Sequence, residues 1–193
     1  MRELIDTHRA LLDSWRKAMN LVGPGEVDPH YEDSLQALEG LNPKGLWADL
    51  GTGAGFPGVV LSALHPELEL HLVDSRKKRC VFLQEVFVRA RAVVPDAGDW
   101  NARVLCTRVE ALESGAYDGV IARAFAPPLK VLEHAGRLLR PGGCAVLMLT
   151  QDQRVPEDTP GFTCQREHRY EVQGKRRCVR HYTRTELTPE ASS

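Results

Sequence analysis

The residues best suited to chemistry form one run, Asp49-Leu50-Gly51-Thr52-Gly53-Ala54-Gly55-Phe56-Pro57-Gly58. An acid closing a short apolar segment, then alternating glycines, suits a strand that turns sharply into a helix while its backbone approaches a ligand. Two ligands fit such a loop. Gly53-Ala54-Gly55-Phe56-Pro57-Gly58 reads as G-x-G-x-x-G, and Asp74 follows at about the 20-residue distance of a ribose-binding carboxylate. That is the pattern of a nicotinamide-dependent oxidoreductase. The same run also reads as an acid, an apolar residue, then Gly51, Gly53 and Gly55. Asp49 at the strand end faces a cationic, amino-bearing ligand better than it faces a pyrophosphate. S-adenosylmethionine carries both a sulfonium and an α-ammonium and is such a ligand. Leu138-Leu139-Arg140-Pro141-Gly142-Gly143 leading into an apolar strand favours the methyl donor. So does the shortness of the chain after that strand, which leaves little room for a dehydrogenase's substrate domain.

The elements that must position this loop follow from periodicity. Leu4, His8, Leu11, Leu12, Trp15, Met19 and Val22 recur at spacings of three and four, the stripe of an amphipathic helix closed by Gly23-Pro24-Gly25. A second helix is expected from Tyr31 to Leu38, then a linker around Asn42-Pro43. Strands are expected at Leu46–Leu50, Leu68–Asp74, Arg103–Cys106, Tyr117–Ile121 and Cys144–Leu149, with two more near Cys164–Val172 and Arg177–Thr183 around Gln173-Gly174. Helical spacing falls at Val59–Leu64, Phe82–Ala90 and Pro128–Leu139, the last stopped by Pro141-Gly142-Gly143, and Val93–Asn101 reads as a long loop. Alternating strands and helices give a parallel sheet covered on both faces. A tight turn between the last two strands makes them antiparallel. The expected fold is α/β, a doubly wound, mostly parallel seven-stranded sheet of Rossmann-like type, with an N-terminal helical cap and a C-terminal antiparallel hairpin. The expected organisation is a cap over residues 1–44, a donor-binding domain over 45–187 and a disordered tail over 188–193.

Composition narrows the setting. The chain has 193 residues, 42% hydrophobic and 26% charged, which is globular usage and excludes a fibrous or disordered chain. Apolar runs are too short for a membrane span, and Met1-Arg2-Glu3-Leu4-Ile5-Asp6 lacks the basic start and apolar stretch of a secretory signal. The five cysteines are widely spaced without Cys-x-x-Cys, so neither a disulfide framework nor a metal site is expected. A soluble, reduced, cytoplasmic protein is the reading. Charge is uneven. Residues 1–44 carry five basic and eight acidic side chains, whereas residues 162–184 carry seven basic and two acidic. A basic C-terminal surface on a near-neutral protein suits an anionic partner, or a solvated, charge-protected edge strand.

Several motifs in order resemble the RsmG (GidB) methyltransferases. They are the first helix with Trp15 and Asn20-Leu21; His30-x-x-Asp33-Ser34-Leu35; the glycine loop with its Phe56-Pro57-Gly58 tail; Val73-Asp74-Ser75 with Lys78-Arg79 and Phe82-Leu83; Arg108-Val109-Glu110; and Asp118-Gly119-Val120-Ile121-Ala122-Arg123-Ala124. The resemblance implies an S-adenosylmethionine-dependent enzyme that methylates N7 of a guanine in small-subunit (16S) ribosomal RNA, as RNA or within the ribosomal subunit; a monomer is expected. It implies a donor pocket of Gly51, Gly53, Phe56, Val109, Glu110 and Arg123, with Asp74 near the ribose hydroxyls. Arg123 would fork onto the methionine carboxylate, or else form a surface ion pair with Asp118 or Glu110. Trp15 and His30 are expected to pack. Two departures stand out. Thr150 takes the place of the family's lysine after the fifth strand, and Arg180-His181-Tyr182-Thr183-Arg184 replaces an apolar run. Both bear on the acceptor, so another RNA or a small molecule stays open as acceptor.

Guanine N7 is a lone-pair acceptor on the Hoogsteen edge and needs no base to deprotonate it, so no catalytic residue is assigned. Ala126-Pro127-Pro128-Leu129 lacks the Asn or Asp that grips an exocyclic amine, and no cysteine follows a proline as a pyrimidine-C5 nucleophile would. Phe125 either stacks on a base or packs. Arg76, Lys77, Lys78 and the arginines of the last hairpin are the expected phosphate contacts.

Overall fold

A computed structural model describes residues 2–19, 26–93, 100–156 and 158–185. In chain order the elements are α1 (Arg2–Met19), α2 (Asp28–Ala37), β1 (Leu46–Leu50), α3 (Gly58–Leu64), β2 (Glu69–Asp74), α4 (Lys77–Val93) and β3 (Ala102–Cys106). A 3-10 turn (Val109–Ala111) follows, then β4 (Tyr117–Arg123), α5 (Pro128–Leu138), β5 (Leu139–Thr150), β6 (Asp158–Thr159), β7 (Phe162–Val172) and β8 (Lys175–Arg184). Val22, the Gly23-Pro24-Gly25 stop, Asn20-Leu21, positions 94–99 of the expected loop and the tail at 188–193 lie outside the described residues.

The strands form one sheet in the order β3-β2-β1-β4-β5-β8-β7-β6. β3, β2, β1, β4 and β5 are parallel, and β8 runs antiparallel to both β5 and β7. The seven expected strands are all present, and the two-residue β6 adds an eighth at the edge of β7. Order reverses between β1 and β4, so the β1 loop opens at the switch point where ligands of such sheets bind.

Alternation along the strands builds two cores, one on each face. Trp47, Leu70, Leu72, Ile121, Val146 and Met148 face α1–α4, together with Leu4, Leu11, Leu12, Phe82 and Leu83. Ala48, Leu50, Val73, Val120, Ala122, Ala145 and Leu147 face α5, together with Leu132, Ala135 and Leu138. The stripe of α1 sits as its spacing demands: Leu4, His8 and Leu12 are fully buried. The two N-terminal helices thus share the core of the sheet.

Two details differ from the periodicity. Leu139 is not helical: it already pairs with Tyr117, while Cys144 pairs with Gly119, so Arg140-Pro141-Gly142-Gly143 bulges out within β5 rather than stopping α5. The α4 helix starts at Lys77, before its first apolar position, because polar residues fill its exposed first turn. At the hairpin, Gln173 (φ 47°) and Gly174 (φ 73°) both adopt the left-handed conformation that a two-residue turn between twisted strands needs.

Candidate donor and RNA site

The glycine loop leaves β1 through Gly51, Gly53 and Gly55, all at positive φ. Two positions show why glycine is required. A Cβ on Gly51 would stand 2.3 Å from the Phe125 ring, and one on Gly58 would stand 2.4 Å from an Asp49 carboxylate oxygen. The loop is held from both sides. Asp49 Oδ2 accepts the Gly58 N–H at 2.9 Å. From α1, the His8 ring donates from Nε2 to the Ala54 carbonyl (2.7 Å), while its Nδ1 accepts from the Tyr31 hydroxyl (2.7 Å). Burial lowers the His8 pKa to about 4, so it stays the neutral tautomer this chain of bonds needs.

Asp49 is 1% exposed, and its Oδ1 makes no well-formed hydrogen bond, with only the buried and equally unpaired Thr52 hydroxyl beside the carboxyl. Burial pushes its pKa up to about 6. A buried carboxylate oxygen with a spare acceptor site is costly unless a cation or donor reaches it. The α-ammonium of S-adenosylmethionine is a group that would.

Asp74, at the end of β2, is held by three donors. Its Oδ2 accepts the Gly53 N–H (3.1 Å) and Arg79 Nη1 (3.1 Å), and its Oδ1 accepts the Arg76 N–H (2.8 Å). Beside it opens a cavity of about 520 Å³, bounded by Gly51, Asp74–Arg76, Arg79, Thr107–Glu110, Ala124 and Phe125. Val109 is buried in its wall, and Glu110 is exposed at its rim, 4.0 Å from His134 Nε2. Ala124 adopts φ 51°, uncommon for a residue with a side chain. That turn at the end of β4 lays Phe125 over the glycine loop, half-buried and 5.8 Å from His134. Phe125 therefore packs and lines the cavity at once.

Of the seven expected donor residues, Gly51, Asp74, Val109 and Glu110 meet at this cavity, and Gly53 supports it through Asp74. Phe56 and Arg123 lie across the loop from it. Phe56 is buried among His8, His30 and Tyr31, with ring centroids 4.9–5.3 Å away. The Arg123 guanidinium sits over its ring at 5.7 Å. Neither surface partner considered for Arg123 is the one it has: Asp118 bonds Arg140 and the Leu46 N–H. Arg123 instead forms an ion pair through Nε with Asp33 Oδ2 (3.0 Å) and donates from Nη2 to His30 Nδ1 (2.7 Å). Burial and the Arg123 charge lower the pKa of His30, which keeps the acceptor nitrogen free. Asp33 also accepts the Tyr170 hydroxyl (2.9 Å) and faces Arg177 Nε at 3.8 Å. Trp15 is half-buried and tilted against Phe82.

Sequence reasoning did not assign Arg79, Asp33, His8 or Tyr31 a role at the site. Arg79 had a local signal, since Arg76-Lys77-Lys78-Arg79 places cations at a helix start, where acids are favoured. His8 and Asp33 act across elements, and no local pattern reveals that.

This sheet order, with a glycine loop after β1, an acid after β2 and an antiparallel hairpin beside β5, defines the Rossmann-like class I methyltransferases. Solved structures share the fold: a magnesium protoporphyrin IX methyltransferase from Synechocystis with bound SAM (TM-score 0.59, 14% identity, 92% of this chain and 97% of that one). A 16S rRNA (adenine(1408)-N(1))-methyltransferase variant from Catenulisporales acidiphilia with SAM gives a TM-score of 0.56 at 16% identity, over 85% and 94% of the two chains. The family profile GidB, rRNA small subunit methyltransferase G, matches residues 1–181. Ribosomal RNA small subunit methyltransferase G of Paracoccus denitrificans is 36% identical over 151 residues, 76% of this chain and 75% of its own length. That of Xanthomonas oryzae is 35% identical over 172 residues, 86% and 77%. The chain belongs to the rRNA small subunit methyltransferase G family. The nicotinamide reading of the glycine loop is thereby set aside.

Proposed function

We propose that the chain methylates N7 of a guanine in small-subunit ribosomal RNA with S-adenosylmethionine, acting as a monomer in the cytoplasm. Among the described residues no helix is long and apolar enough to cross a membrane. The observation that carries the donor reading is Asp49: a buried carboxylate with an unpartnered oxygen beside a glycine loop, in a chain of this family. Asp49 would take the α-ammonium, and the loop backbone the methionyl portion. Asp74 would take the ribose hydroxyls in exchange for Arg79, and Val109 and Glu110 would edge the adenine. Arg123, on the far side of the loop, would take the methionine carboxylate. S-adenosylmethionine supplies a methyl group on a sulfonium, electrophilic enough for a ring nitrogen's lone pair.

The protein's part in the reaction is placement. Ring N7 carries no proton, so no side chain has to remove one, and the absence of an amide or carboxylate at Ala126 fits a ring nitrogen rather than an exocyclic amine. Phe125, at the cavity mouth, is placed to bear on the base once it is unstacked. A strain lacking the gene tests this reading. Its small-subunit RNA should lack one 7-methylguanosine, restored by the wild-type gene and not by an Asp49→Ala copy. Unchanged 7-methylguanosine content would refute it.

A further inference from the structure

β5 ends at the exposed Thr150. β5 and β8 pair so that Thr150 stands directly opposite Arg177. The turn after β5 is closed by Thr150 N–H to Gln153 Oε1 (2.9 Å) and Gln153 N–H to the Thr150 carbonyl (3.1 Å), which leads the chain straight to Arg154. Between this turn and the facing β7–β8 strands lies a groove of about 560 Å³, separate from the donor cavity.

Five arginines line the groove against one carboxylate, Glu167. Arg169 and Arg180 are spent on that carboxylate, at 2.6 and 2.5 Å, and Arg180 also bonds the Val155 carbonyl. Arg177 faces Asp33. Arg154 and Arg176 are exposed and, among the described residues, have no ion pair within 4 Å, although Glu171 stands opposite Arg176 in the β7–β8 register. Concave surfaces focus the field of like charges, so the groove attracts an anion. Its shape selects which one. The free cations sit on two different segments at an open rim, which suits successive phosphates of a chain better than one enclosed ion. It is also joined to the site: Tyr170 and Arg177 in its wall reach Asp33, which holds Arg123 at the end of β4.

We propose that this groove carries the phosphodiester backbone of the RNA segment flanking the target base, with Arg154 and Arg176 as phosphate contacts. The proposal rests on the reading of the chain as a small-subunit RNA methyltransferase. Planar guanidinium forks suit phosphate oxygens, and phosphate contacts position a nucleic acid without reading its bases.

The test uses the full chain, small-subunit RNA and S-adenosylmethionine, with methylation kinetics from 50 to 200 mM salt. Arg154→Ala with Arg176→Ala should raise the KM for RNA about tenfold, and flatten the dependence of log KM on log salt by about 1.4, two single-strand phosphates' worth. The kcat and the calorimetric affinity for S-adenosylmethionine should stay as in the wild type, and the double lysine variant should recover part of the loss. A wild-type KM and salt slope in the double alanine variant would overturn the proposal while leaving the methyltransferase reading intact. So would an equal effect from Arg89→Ala with Arg103→Ala, which removes two charges far from the groove. A wild-type protein that labels no RNA would overturn both.

Discussion

Asp49→Asn should make the donor-free protein more stable and the donor-bound enzyme weaker. The carboxyl is fully enclosed, and burial raises its pKa from 3.8 to about 6. A folded-state pKa raised this far corresponds to about 3 kcal/mol of destabilisation at any pH above both values. The unfolded chain ionises first, so the penalty is absent below 3.8, grows as pH rises, and is complete above 6. Asparagine removes the charge and can still accept the Gly58 N–H through its carbonyl. It leaves an amide where Oδ1 is unpartnered, which costs about 1 kcal/mol. The net gain at pH 8 is about 2 kcal/mol, or about 4–8 °C in Tm for a domain of this size. At pH 5 the charge-removal gain falls to about half, since the folded carboxyl is then largely protonated while the unfolded one is not. The same change removes the countercharge for an α-ammonium, worth about 1.5–3 kcal/mol, so S-adenosylmethionine should bind about 10- to 100-fold more weakly. Calorimetric unfolding at pH 5 and pH 8, with titration of the donor, reads both effects. A variant no more stable than wild type at pH 8, or one that binds the donor normally, would refute the argument.

Other perturbations address the supports of the site. His8 has a folded pKa near 4 against 6.5, so its stability contribution is present above 6.5 and lost as pH falls from there towards 4. Between pH 7 and 4, His8→Gln should therefore lose about 3 kcal/mol less than wild type in calorimetry. Asp33→Ala strips the half-buried Arg123 guanidinium of its carboxylate partner and should cost about 2–3 kcal/mol in denaturant unfolding, below the fully buried case because the guanidinium keeps some solvent and His30. Tyr170→Phe, which removes one bond to the same carboxylate, should cost about 1–2 kcal/mol. Asp74→Ala should weaken donor binding about 10- to 100-fold, as loss of a charged hydrogen-bond partner does, with the KM for RNA unchanged in steady-state assays.

Much of this architecture is legible locally. Strand β1 falls at Leu46–Leu50 as its pattern requires, and the other strands lie within two residues at most boundaries, because two-face burial and turn chemistry act within a few positions. The exception at Leu139 has a physical cause: a leucine can serve the last turn of a helix or the first position of a buried strand, and pairing with Tyr117 decides it. The two-residue β6 has no pattern long enough to detect. At the site, the glycine loop and Asp74 are readable from their spacing, while Val109 and Glu110 follow only from the family resemblance; the cavity gathers all four at the C-terminal ends of the strands. What could not be read is what joins distant segments: His8 on Ala54, 46 positions apart, and Tyr170 on Asp33, 137 apart. Arg123 shows the difference. Its place at the end of β4 follows from the motif, but its partner comes from α2, which only the tertiary fold brings near.

The most direct test of the central claim is to incubate the purified chain with radiolabelled S-adenosylmethionine and, in parallel, small ribosomal subunits, naked small-subunit RNA and tRNA. Label should appear as 7-methylguanosine in the small-subunit RNA and not in tRNA. Label in another nucleoside, or none in any RNA while calorimetry shows the donor bound, would contradict the account.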